Sequence, residues 1–193
     1  MWTKPEDVLG FWLDECSPED WYKSEPEFDK EIERLFRGAW DRAMGGALSL
    51  WLTYPSGTLA YIIVTDQFSR NMFRDTKDAF ASDAIALAAS KSAIEKGWDK
   101  RIDEPARQFF YMPLMHSETL VDQDRCVRLV KSRMEESEKN LLHAKAHREV
   151  IRQFGRFPTR NAALGRKTTT KEQAYLDNGG YGAIVRELSP VSA

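Results

Sequence analysis

A chain of 193 residues with 42% hydrophobic, 11% aromatic and 30% charged side chains has the make-up of a globular domain and not of a disordered or fibrous polymer. No apolar run approaches the roughly 20 residues of a membrane span, and Met1 to Glu15 carries acids where an export signal needs bases and an apolar core, so the chain is expected in the reducing cytoplasm, away from membranes. A net charge of -2, a pI near 6.0 and the lack of any nucleic-acid-binding motif argue against a general nucleic-acid partner.

The first helix signal is Thr3-Lys4-Pro5-Glu6, which reads as a capping box: the hydroxyl takes a backbone N–H three residues on and the carboxylate reaches back. Val8, Leu9, Trp12 and Leu13 follow as an apolar stripe. Ser24-Glu25-Pro26-Glu27 repeats the device, and Phe28, Ile32, Leu35, Phe36, Ala39 and Ala43 keep helical spacing up to Gly45-Gly46. Leu59 to Thr65 is rich in β-branched and aromatic residues that suit a strand. The helical spacing of Leu59, Ile62, Ile63, Asp66, Gln67 and Arg70, after the Pro55-Ser56-Gly57 turn, nevertheless predicts a helix.

Further helices are predicted over Asp78 to Lys96, closed by Gly97, and over Asp103 to Met112, stopped by Pro113. Two more run from Glu118, capped by Ser117, to about Met134 and from Glu138 to Phe154, the latter ended by Gly155. The last begins at the capping box Thr169-Thr170-Lys171-Glu172 and ends at Asn178-Gly179-Gly180. Short connections between many helices imply an all-α fold of antiparallel helical hairpins, a bundle or an α-α superhelix, with one domain over 1–180 and a mobile tail over 181–193.

Charge is uneven along the chain: eleven acids face three lysines between Met1 and Glu33, whereas seven bases face one acid, Glu149, between Arg148 and Lys171. Such segments either pair within the fold or face water, or the basic one meets an anion. Cys16 and Cys126 lack zinc or redox spacing and read as reduced thiols.

Three polar segments interrupt the apolar pattern. In the first, Asp66-Gln67-Phe68-Ser69-Arg70-Asn71, acid and arginine lie four apart on one helix face, either covering a helix end or holding a ligand. In the second, Tyr111 to Glu118, Ser117 and Glu118 have a capping role to explain them, while His116 has none. The third holds His143 and His147, then Arg156-Phe157-Pro158-Thr159-Arg160-Asn161, then Arg166. Its arginines alternate with phenylalanines that would hold guanidinium forks against a carboxylate or phosphate. Two histidines four apart, with Glu118 as a third group, fall short of the four ligands of structural zinc, so no metal site and no cofactor are predicted.

Several of these segments resemble the bacterial family known as domain of unknown function 924. The likeness rests on Val8-Leu9-Gly10-Phe11-Trp12, Gly57-Thr58-Leu59-Ala60, Asp66-Gln67-Phe68-Ser69-Arg70-Asn71, Tyr111-Met112-Pro113-Leu114-Met115-His116-Ser117-Glu118 and Phe154-Gly155-Arg156-Phe157-Pro158-Thr159-Arg160-Asn161. It runs from about Lys4 to Leu176 and implies a tetratricopeptide-like helical fold without an established activity. The chain departs from the family pattern at Ser69, where proline is expected, and at Thr159, where histidine is expected.

The sequence thus leads to a binding module with an anionic small molecule or peptide as partner. Asp66, Gln67, Arg70, Asn71, His116, Glu118, His147, Arg156, Arg160 and Asn161 are the expected ligand-binding residues. One alternative is an enzyme with His116, Glu118 or His147 as proton carriers. Another is a polar network that only fixes helix packing.

Overall fold

Proline sets the start of the first three long elements in the computed structural model, which describes residues 2–135 and 138–189. Pro5, Pro26 and Pro55 open α1 (Pro5–Leu9), α2 (Pro26–Met44) and α3 (Pro55–Ile62). At that position the missing N–H costs no helical hydrogen bond and the fixed φ is already helical. The first two helices therefore begin one residue later than the capping boxes predicted. Lys4 is the N-cap of α1, with its N–H donating to the Asp7 carboxylate at 2.7 Å, and Glu25 precedes α2 without a side-chain cap.

The chain divides into two compact units, Met1–Pro113 and Leu114–Ala193, where the sequence suggested one domain over 1–180. In the first unit α1 runs on as a wider-wound π segment, Gly10–Glu15. Likewise α3 continues through a π segment, Ile63–Phe68, into α4 (Ser69–Met72). The ambiguous stretch Leu59 to Thr65 is thus helical, as its spacing predicts. Every residue from Leu59 to Ser69 is buried, and a helix satisfies its own buried backbone groups without a partner strand.

Trp12, fully buried, anchors the aromatic core of this unit against Trp21, Phe28, Phe68 and Phe109, and its carbonyl accepts the Trp21 indole N–H at 2.7 Å. The predicted helix from Asp78 is split into a 3-10 turn, Lys77–Phe80, and α5 (Asp83–Glu95). Between them buried Ser82 accepts the Trp40 indole N–H and donates to the Thr65 carbonyl, a commitment that holds the backbone out of the helix. The predicted helix Asp103 to Met112 is also replaced, by a 3-10 turn, Ala106–Phe110, and the short α6 (Met112–Met115). Phe109, Phe110 and Tyr111 are all fully buried, and the Phe110 carbonyl accepts the Ser90 hydroxyl. Pro113 lies inside α6 and does not terminate a helix.

The second unit holds α7 (Leu120–Arg133), α8 (Glu138–Phe154), a 3-10 turn Pro158–Arg160, α9 (Thr170–Asp177) and α10 (Gly180–Leu188). The cap of α7 is Thr119 and not Ser117. Asp122 accepts from both hydroxyls, at 2.9 Å from Ser117 and 3.0 Å from Thr119, which leaves Glu118 outside the helix. The capping box of α9 forms as read, with Glu172 N–H donating to Thr169 Oγ1 at 3.3 Å and Thr169 N–H to Glu172 Oε2 at 2.7 Å.

Within the tail predicted at 181–193, α10 occupies the first part and packs on α8. Tyr181, Ile184 and Val185 lie three and four residues apart and join the core of Ala146, Val150, Ile151 and Phe157. Positions 190–193 lie outside the described residues. Among the described residues there is no strand, and no helix is long and apolar enough to cross a membrane.

Candidate functional site

Gly155 closes α8 in a left-handed conformation, at φ 68°, and turns the chain so that Phe157 to Arg160 lies beside the C-terminal half of α8. Phe157, Thr159 and Arg160 of this turn, His147 and Val150 of α8, Tyr175 of α9 and Tyr181 of α10 line a half-open cavity of about 290 Å³. Three aromatic rings, one guanidinium and one imidazole therefore share one wall system inside the second unit.

The state of His147 follows from its hydrogen bonds. Nδ1 lies 2.9 Å from the His143 carbonyl, which only accepts, so Nδ1 carries the proton and Nε2 keeps a lone pair. The Tyr181 hydroxyl lies 3.2 Å from the same Nδ1 and 2.7 Å from His143 Nδ1. Burial, with the charge of His116 as a second cause, pushes His147 from 6.5 down to about 3, so the ring stays neutral at physiological pH. His116 packs against it edge-on, with ring centroids 6.1 Å apart.

Three arginines of this segment are held differently. Arg156 forms a two-pronged pair with Glu172, at 2.6 and 2.9 Å, and also donates to the Lys167 carbonyl at 3.0 Å. Arg166 forms the same kind of fork with Glu118, at 2.9 and 2.8 Å, and Glu118 Oε1 also accepts the Phe157 N–H at 2.9 Å. Burial acts to raise the Glu118 pKa, but the Arg166 and Phe157 hydrogen bonds outweigh it and hold the carboxyl below its ordinary value. Arg160 donates to the His116 carbonyl at 2.9 Å, stacks over Phe157 at 4.7 Å and is the arginine of the three that lines the cavity.

The second and third polar segments thus meet: His116, Glu118, His147, Arg156, Arg160 and Asn161 all belong to this region of the second unit. Asn161, 2% exposed, donates weakly toward Thr168 and Glu172 at 3.3 and 3.4 Å, while its Oδ1 is buried without a partner. The first segment lies in the other unit. There Arg70 donates to the Asp66 carbonyl at 2.6 Å and pairs with Asp83 at 2.9 Å, Gln67 donates to the Asp66 carboxylate, and Asn71 and Arg74 both donate to Asp29. Asp66 and Gln67 are buried in the π segment, while Arg70 and Asn71 tie α4 to α5 and α2 through Asp83 and Asp29.

Sequence reading missed Tyr175 and Tyr181, because both flank the Gly179-Gly180 pair that was read as the end of order. The helical spacing of Tyr181, Ile184, Val185 and Leu188 carried the signal. The alternation of arginine with phenylalanine groups Arg156 with Arg160, yet Arg156 is forked onto Glu172 while Arg160 bonds the His116 carbonyl. Among the described residues no group of three or more His, Cys, Asp or Glu is placed to hold a metal ion.

The fold and this polar region define an all-helical protein with a small, half-open cavity of mixed aromatic and cationic character. The chain belongs to the family of bacterial proteins of unknown function (DUF924), whose pattern matches residues 8–180. It is similar to a solved protein of unknown function, ATU0120 from Agrobacterium tumefaciens, with 35% identity over 91% of this chain and 97% of that one and a TM-score of 0.85. No curated protein matches.

Proposed function

We propose that this protein is a cytoplasmic binding module that holds the anionic group of a small molecule or peptide at Arg160, in the cavity of its second unit. The observation that supports this reading is the composition of the cavity wall: one guanidinium, backed by the Phe157 ring, faces the same space as a neutral imidazole and the rings of Tyr175 and Tyr181. Small-molecule sites have this character, mostly apolar with a few polar groups that fix orientation. Arg156 and Arg166, each forked onto a carboxylate, the buried Asp66 and Gln67, and the helix-tying Arg70 and Asn71 act in this reading as framework. Glu118 serves as the counter-charge of Arg166 and not as a proton carrier.

The test is calorimetric titration of the protein with acetate, benzoate, inorganic phosphate and a dipeptide. A charged hydrogen bond contributes about 1.5 to 3 kcal/mol, so Arg160→Ala should weaken the bound anion by roughly ten- to a hundredfold while leaving the far-UV spectrum unchanged. Equal binding by the parent and Arg160→Ala, or no binding of any of these anions, would overturn the reading.

A further inference from the structure

Arg160 accounts for one polar end of a ligand, but the cavity offers a second polar group of opposite character. With Nδ1 of His147 committed to the His143 carbonyl at 2.9 Å and neighbouring Tyr181, Nε2 is the nitrogen left for a ligand, and it offers a lone pair only. Among the described residues it has no hydrogen-bond partner. The helix fixes this tautomer, because His147 bonds the carbonyl one turn earlier on its own helix. The ring therefore reads a donor and rejects another acceptor.

The walls limit the rest of the ligand. Phe157, Tyr175 and Tyr181 offer ring surfaces suited to a flat apolar body, with Phe157 meeting His147 edge-on at 5.6 Å and Tyr181 at 4.7 Å. A cavity of about 150 Å³ accommodates benzene. At about 290 Å³ this one has room for a single ring with two or three polar substituents.

We infer that the cavity selects a small aromatic carboxylate bearing a neutral hydroxyl or N–H, with the carboxylate on Arg160 and the donor on His147 Nε2. This rests on the reading that Arg160 holds an anion, and adds to it the class of ligand and the residue that reads the second group. An ammonium group is disfavoured by the adjacent guanidinium. An ether or ketone in the donor's place sets two lone pairs against each other.

The experiment compares benzoate with 3- and 4-hydroxybenzoate and with the matching methoxybenzoates by calorimetry, on the parent protein and on His147→Phe. Because the ligand carries the change, the parent alone supplies the first readout. At least one hydroxybenzoate should bind roughly tenfold more tightly than benzoate, its methoxy counterpart should gain nothing, and His147→Phe should bind benzoate and the hydroxybenzoate alike. On the parent, the ¹⁵N resonance of His147 Nε2 should move upfield on addition of the hydroxybenzoate and not of benzoate. If benzoate and both hydroxybenzoates bind equally and depend on Arg160, His147 reads no donor and this inference fails while the anion site stands. If phosphate binds through Arg160 and no benzoate does, the aromatic carboxylate class is wrong. If no anion binds at all, both readings fall.

Discussion

Arg156 and Glu172 meet through two parallel hydrogen bonds, Nε to Oε1 at 2.6 Å and Nη2 to Oε2 at 2.9 Å, at the first turn of α9. The same carboxylate accepts the Thr169 N–H at 2.7 Å, so one side chain closes the capping box of α9 and fastens that helix to the segment after α8. Hydrogen bonds from Arg156 and then from Thr169 bring the Glu172 carboxyl down from its ordinary 4.5 to about 2. A carboxylate that is more acidic when folded stabilises the fold above its unfolded pKa, and that contribution disappears as the pH falls through the folded one. Melting temperature should therefore drop between pH 4.5 and pH 2, and Glu172→Gln should lose that part of the drop while melting lower than the parent at pH 7. Parallel curves for the two proteins across this range would show that the pair contributes nothing to folding.

Arg156 and Arg160 are four residues apart and should behave oppositely on replacement. Arg156→Ala strands the Glu172 carboxylate, whose side chain is 4% exposed, and should lower the melting temperature by several degrees with or without an anion present. Arg160→Ala removes the hydrogen bond to the His116 carbonyl and the contact with the Phe157 ring, and its main effect should be on anion binding. Thermal denaturation of both variants, with and without benzoate, separates the two cases.

How far the fold was legible in the sequence depended on whether a segment's signals were local. Thr169 and Glu172 formed the predicted capping box, and Gly97 and Gly155 adopt positive φ where helices were expected to end. Leu59 to Ser69 was readable as helix because its helical spacing runs on to Arg70, past the length of a usual strand. Ser82 could not be read as a break, since its cause is Trp40, 42 positions away in sequence. The same holds for the site. His116 was legible as a residue with no local structural reason, but the carboxylates that Arg156 and Arg166 pair with, Glu172 and Glu118, lie 16 and 48 positions from them.

Gly57 and Gly38 form a pair of glycines with opposite requirements. A Cβ on Gly57 would sit 2.6 Å from the Trp51 carbonyl oxygen and 2.6 Å from Tyr54 Cζ, so the 3-10 turn before α3 would have to move. Gly57→Ala should cost about 1 to 3 kcal/mol. Gly38 is exposed within α2 and a Cβ there meets nothing within 4 Å, so Gly38→Ala should add about 0.5 to 1 kcal/mol through helix propensity alone. Urea denaturation of the two variants measures both signs. A neutral Gly57→Ala would mean that the close approach of Trp51 to α3 does not constrain the fold.

His147 provides the last prediction, in a pH range where Glu172 does not titrate. Burial, then the charge of His116, lowers it from 6.5 to about 3, and burial, then Lys139, also lowers His143. An unfolded histidine takes up a proton as the pH falls through about 6.5, and the folded ring at position 147 does not. Stability is thus fully present above the unfolded value and declines as the pH falls from about 6.5 toward 3, with a slope of at most about 1.4 kcal/mol per pH unit for one proton. His147→Gln should flatten the melting curve between pH 7 and pH 5, whereas Glu172→Gln should leave that range unchanged. The ring itself offers a direct check: its ¹⁵N resonances should show a protonated Nδ1 and a bare Nε2 and stay in place from pH 8 to pH 5. Titration of His147 near pH 6.5 would mean that water reaches the ring freely, and that the fixed acceptor on which the proposed ligand selection depends is absent.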